Sequence, residues 1–180
     1  CADAGSRPHG IRAAWRALRG APSLTRGILA VMDLRTVLVL NGPNLNLLGE
    51  REPEVYGSAT LADVEVLCHE AATASGLVLD FRQSNHEGVL IEAVHAARGR
   101  AAAIVINPGA FTHYGWGLHD ALAAFEAPIV ALHLSNPQRR ERWRHTSGVA
   151  PVATAMICGL GGAGYRLAGL AVLELLGRSG

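Results

Sequence analysis

Two textures alternate along the chain. Short unbroken apolar runs occur at Thr36–Asn41 (TVLVLN), Leu77–Gln83, Ala102–Asn107, Ile129–His133 and Val152–Cys158. Between them lie segments in which apolar residues return every three to four positions: Leu61–Ala74, Glu87–Arg98, Trp116–Phe125 and Ala163–Leu176. The short runs read as strands and the periodic segments as helices. A further short helix is expected over Arg139–His145. Punctuation agrees: Thr60 is placed to N-cap the first helix, Gly76 to stop it, Gly99 to follow the second and Pro128 to end the third. Strands apolar at successive positions are covered on both faces, which implies a parallel sheet whose right-handed crossovers lay helices on either side. The expected fold is a flavodoxin-like α/β three-layer sandwich, a five-stranded parallel sheet of order 2-1-3-4-5 with helices on both faces.

A chain of 180 residues fills one such domain and is too short for two. Its formal net charge of +1 gives no global field that would recruit nucleic acid or an anionic membrane, so neither is expected as a partner. All 16 basic residues are arginine. Without lysine, a Schiff base and a P-loop phosphate site are both excluded. Cys1, Cys68 and Cys158 are few, odd in number and far apart, which fits a reducing, cytoplasmic setting. The His residues form no HExxH or His-x-His pair, so no metal is expected. Residues 1–33 stand apart: Arg7, Arg12, Arg16, Arg19 and Arg26 are interspersed with small residues, and Asp3 is the single acid before Asp33. They read as a transit peptide or as an extended or mis-assigned start upstream of Met32, and the second is preferred because Met32 falls just before the first strand. The catalytic domain is expected over 34–180, behind a poorly ordered Arg-rich extension.

Open parallel sheets bind ligands beyond the carboxyl ends of their strands. Asn41, Gly42, Pro43 and Asn44 follow the first strand, with Arg51 and Tyr56 beyond them. Gln83, Ser84, Asn85, His86 and Glu87 follow the second; Asn107, Pro108 and Gly109, then Thr112 and His113, follow the third. His133, Ser135 and Asn136 follow the fourth, ahead of Arg139, Arg140, Arg142 and Arg144. Turns and caps account for some Asn and Ser. They account less readily for His, Asn-Pro-Gly with Thr-His, and an Arg-Tyr pair at separate strand ends, so a polar small-molecule site is expected there.

The same residues carry a family resemblance. Asn41-Gly-Pro-Asn-Leu-Asn-Leu-Leu-Gly49, Arg51-Glu-Pro and Tyr56-Gly57 resemble the amino-terminal signature of type II dehydroquinases. Arg82-Gln-Ser-Asn-His-Glu-Gly88, Ile106-Asn-Pro-Gly-Ala-Phe-Thr-His113, His133-Leu-Ser-Asn136, Arg140-Glu141 with Arg144, Ile157-Cys-Gly-Leu-Gly161 and Gly164-Tyr165 resemble the family's later blocks, in order. The similarity runs from about Thr36 to Leu176.

The resemblance implies a cofactor-independent lyase that takes 3-dehydroquinate to 3-dehydroshikimate by anti elimination through an enolate, with no imine. It makes Tyr56 the base, with Arg51 beside it to favour phenolate. It makes His133 the general acid, and Asn44 the holder of a water against the enolate oxygen. Asn107, His113, Leu134, Ser135 and Arg144 become substrate anchors, with Leu134 and Ser135 acting through backbone N–H groups. Arg139 and Arg142 are expected on a solvated face. Asp120 matches an acid that reaches a neighbouring subunit's site, so a homo-oligomer is expected, a dodecamer built from trimers. Taken singly, most of these residues also have ordinary structural readings as turn, surface or core positions.

The chain departs from the family pattern at Tyr114-Gly115-Trp116 and His119, where small polar residues and an arginine are usual. Gly115 and Gly117 are expected to weaken the helix start, at up to ~1 kcal/mol each. These changes leave a divergent paralogue with altered substrate open as an alternative, beside a flavodoxin-like nucleotide- or flavin-binding module and an inactive assembly subunit. The choice between a shikimate-pathway role in aromatic amino acid biosynthesis and quinate catabolism stays open.

Overall fold

The computed structural model describes residues 36–50 and 58–177. The Arg-rich extension, and with it the expected 1–33 boundary, lies outside the described residues, as do Arg51 and Tyr56. Five parallel strands form one sheet: β1 (Thr36–Asn41), β2 (Val78–Gln83), β3 (Ala101–Asn107), β4 (Ile129–His133) and β5 (Ala155–Cys158), in the order β2-β1-β3-β4-β5. The helices are α1 (Leu61–Ala74), α2 (Glu87–Ala97), α3 (Trp116–Ala123) and α4 (Ala163–Gly177). Fold class and strand order are as the apolar pattern predicts. Among the described residues no helix is long and apolar enough to cross a membrane.

Alternation along β1 divides the core in two. Leu38 and Leu40 join Leu90, Val94, Leu118 and Leu122 of α2 and α3 on one face. Val37 and Val39 join Val64 of α1 and Tyr165, Ala168 and Val172 of α4 on the other. Because β1, β3 and β4 are buried on both sides, their backbones are held rigidly, and so are the residues at their carboxyl ends. Register sets Asn41 beside both Gln83 and Asn107, and His133 beside Cys158.

Local signals act as expected at the helix ends. Thr60 caps α1 in a capping box, its hydroxyl accepting from the Asp63 N–H while the Asp63 carboxylate accepts from the Thr60 N–H. Two expectations need correction. The fifth strand starts at Ala155, not Val152, because Ala150–Val152 forms a 3-10 turn around Pro151. The Val152 and Ala153 N–H groups donate to Val149 and Ala150 within that turn and cannot join a sheet ladder. Arg139–His145 is not one helix but parts of two 3-10 turns, Pro137–Arg139 and Arg142–His145, with Arg140 extended between them.

Gly115 and Gly117 are explained by close packing. A Cβ at Gly115 would lie 2.8 Å from the Phe111 carbonyl oxygen and 3.0 Å from the Glu87 carboxylate, and one at Gly117 would lie 3.1 Å from Ile91. Helix α3 thus starts hard against α2, and Glu87 accepts the Leu118 N–H at 3.0 Å, satisfying a donor that the helix start leaves open.

Candidate active site

The loops after β1 and β3 are clamped together. The Gly42 N–H donates to the Asn107 carbonyl at 2.7 Å. A Cβ at Gly42 would sit 2.2 Å from the Pro108 carbonyl oxygen, so only glycine allows this approach. The chain then turns through Asn44, whose φ of 66° is left-handed, a conformation asparagine tolerates better than most residues. Its N–H donates to Asn85 Oδ1 at 2.9 Å, and Gln83 Nε2 donates to the Gly42 carbonyl at 3.2 Å and to Asn85 Oδ1 at 3.0 Å. The polar residues after β2 therefore support the β1 loop and do not line the cleft beside it.

That cleft, about 150 Å³, opens at the carboxyl edge of the sheet. Asn44, Leu45, Leu47 and Leu48 form one wall; Asn107, Gly109, Ala110 and His113 form a second; His133, Leu134 and Ser135 lie between them and Pro137, Arg140, Trp143 and Arg144. Asn107 and His133 are buried. Burial, and then the positive potential of nearby His113, pulls the His133 imidazole down to about 4, so it is neutral at pH 7. His113 Nδ1 lies 2.7 Å from the Thr146 carbonyl oxygen. A carbonyl can only accept, so Nδ1 carries the proton, and in the neutral ring Nε2 keeps a lone pair for a ligand hydroxyl.

The basic side of the cleft is braced. Arg144 Nε donates to Glu141 Oε2 at 2.7 Å, and the guanidinium lies 4.1 Å from the Trp143 ring centroid. Arg140 Nε is 3.5 Å from the same carboxylate oxygen. Trp143 also meets the His113 ring edge-on, with centroids 5.1 Å apart. Glu141 thus holds two cations at the rim of the cleft. The next segment is fastened to the start of α3: the Gly148 N–H donates to the Thr112 carbonyl at 2.6 Å, Thr112 and Ser147 hydroxyls bond at 2.8 Å, and His119 Nδ1 donates to the Gly148 carbonyl at 2.6 Å. His119, a departure from the family pattern, is used in this tie.

Of the residues singled out from sequence, Asn44, Asn107, His113, His133, Leu134, Ser135 and Arg144 surround one cleft. Arg139 and Arg142 are exposed and off it, as expected. Asp120 is exposed on α3 and does not line its own chain's cleft. Trp143 was missed, and a tryptophan between two arginines on a presumed solvated face was the available signal. Among the described residues no group of three or more His, Cys, Asp or Glu side chains is arranged to hold a metal.

Residues 35–173 match the family model for class II dehydroquinase. The chain belongs to this family. It is 56% identical over 140 residues to 3-dehydroquinate dehydratase 2 of Pseudomonas putida, covering 78% of this chain and 94% of that protein. It is 58% identical over 134 residues to 3-dehydroquinate dehydratase 2 of Pseudomonas aeruginosa, covering 74% and 90%. Among solved structures, type II dehydroquinase from Butyrivibrio crossotus superposes with a TM-score of 0.74 at 37% identity, over 80% of this chain and 98% of that one. The resemblance read from the motifs is therefore family membership, and the flavodoxin-like architecture is the family's own.

Proposed function

We propose that this dehydroquinase dehydrates 3-dehydroquinate to 3-dehydroshikimate in the cleft at the carboxyl edge of its sheet. The observation that carries the reading is the buried His133 facing the same 150 Å³ space as Asn107, His113 and Arg144, in a chain of this family. Tyr56, as phenolate beside Arg51, takes the proton next to the ketone. The electron pair moves onto the carbonyl oxygen, where a water held by Asn44 stabilises the enolate. The pair then returns to form the carbon–carbon double bond as the neighbouring hydroxyl leaves, protonated by His133 to give water. No imine forms, since the sequence has no lysine.

Sequence spacing supports the pairing of these groups. Arg51 follows the cleft-lining Leu48 by three residues in the sequence, and Tyr56 follows Arg51 by five. A substrate carboxylate near Arg144 would offset what holds His133 neutral, since a nearby opposite charge favours imidazolium. His133 would then gain its proton as substrate binds. The exposed Asp120, off its own cleft, fits a role in a neighbouring subunit's site within a trimer-based dodecamer.

The test is direct. Protein stripped of metal and small molecules should convert 3-dehydroquinate to an ultraviolet-absorbing enone. Tyr56→Phe should lower kcat by about 10³-fold, within the range for loss of a general base, at unchanged thermal stability. Near-normal turnover in Tyr56→Phe would remove Tyr56 as the base.

A further inference from the structure

We infer that Tyr165, which does not line the cleft, is a positioning residue whose hydroxyl decides which end of the Asn107 amide a ligand meets. This rests on Asn107 as a substrate anchor. The two ends of an asparagine amide are nearly the same shape, so packing alone does not choose between them; hydrogen bonding does. Here the choice is forced from both ends of a buried chain of contacts. At one end, the Arg82 backbone carbonyl can only accept, so Asn41 turns Nδ2 toward it at 3.1 Å and Oδ1 toward Tyr165. Tyr165 spends its single O–H on Asn41 Oδ1, at 2.5 Å. Lone pairs alone remain for Asn107, which must present Nδ2 to the Tyr165 oxygen, at 3.3 Å. At the other end, the Gly109 N–H can only donate, and it meets Asn107 Oδ1 at 3.3 Å.

The polarity therefore runs one way, from a backbone carbonyl on β2 through three side chains to a backbone N–H after β3, with no mismatched contact. What Asn107 has left for a ligand is the second N–H of Nδ2 and the second lone pair of Oδ1. The Tyr165 ring is 3% exposed within the core on the α1–α4 face, and burial pushes its phenol further up, so it stays a donor throughout the working pH range. Without the hydroxyl, Asn107 keeps one long hydrogen bond to hold its orientation.

Tyr165→Phe keeps the ring and removes the hydroxyl. The expected result is a rise in KM for 3-dehydroquinate of about tenfold, the scale of one hydrogen bond, with a smaller change in kcat. Asn41→Ala, also off the cleft, should raise KM the same way. In the Asn107→Ala background, adding Tyr165→Phe should change KM no further. In selectively ¹⁵N-labelled protein the Asn107 side-chain NH₂ resonances should shift and exchange faster with water in Tyr165→Phe. If the Tyr165→Phe penalty persists in full on top of Asn107→Ala, or the Asn107 resonances stay put, the hydroxyl has only a structural role and the inference fails. Should Tyr165→Phe not fold, Asn41→Ala decides through the same two readouts. An inactive parent protein would overturn the proposed function instead, and the resonances would still decide the orientation claim.

Discussion

The carboxyl ends of β2 and β4 look alike in sequence and do different work. Gln83-Ser84-Asn85-His86 and His133-Leu134-Ser135-Asn136 are both polar runs that follow a strand. After β2, the polar side chains direct their hydrogen bonds at the protein: Gln83 and Asn85 at the β1 loop, Ser84 at the His86 backbone, and Glu87 at the start of α3. After β4, the His133 ring is buried at the cleft, bonded to no carboxylate among the described residues, and Ser135 lines the opening. A strand end whose hydrogen bonds are already directed inward is scaffold. One that faces a cavity with capacity to spare is available for chemistry.

Four measurements can break or sharpen this contrast. His133→Asn should lower kcat by about 10²–10³-fold with the fold intact, as removal of a general acid does; a loss confined to KM would move His133 from acid to anchor. The second concerns pH. An unfolded imidazole takes up its proton near 6.5, and His133 in the fold does so only at about 4. Between these values the unfolded chain binds more protons, so stability should fall as pH drops from 6.5 to 4, by up to about 3 kcal/mol, and level off below. Denaturant titrations at stepped pH should show that slope in the parent protein and lose it in His133→Asn.

Third, Arg144→Ala should raise KM by about tenfold while kcat changes less, as expected when a charge-assisted contact to substrate is lost. Equal losses in wild-type and Arg144→Ala at high salt would show that Glu141 already neutralises this cation. The smallest effect is expected at β2. Asn85→Ala should cost about 1 kcal/mol of stability through the lost bond to the Asn44 N–H, with KM within about threefold. A kcat loss there approaching that of His133→Asn would erase the distinction between the two strand ends.

Fold and strand order were legible because burial on both faces leaves unbroken apolar runs, a pattern independent of loop detail. Errors fell where local hydrogen bonding overrides pattern. Pro151 turns the chain and consumes donors that Val152 and Ala153 would have given to a strand. Arg139–His145 shows arginines at helix-like spacing, yet the segment breaks at Arg140 into two tight turns. The cleft was legible through its His, Asn and Arg residues, which have distinctive chemistry. Trp143 was not, because stacking under Arg144 depends on where the second turn brings the ring. Gly115 and Gly117 read in sequence as weakening a helix start; the nearness of Glu87 and Ile91 that favours them comes from a segment packed in space.

The clamp at Gly42 sets terms for anyone wishing to retrain this scaffold on other hydroxy acids. An alanine there would drive its methyl group into the Pro108 carbonyl and push the first and third loops apart, moving Asn44 and Asn107 together. A randomised library that includes position 42 will fill with misassembled variants. One that spares it and samples the solvent-facing Trp143 and Leu47 can reshape the entrance while its walls stay in register.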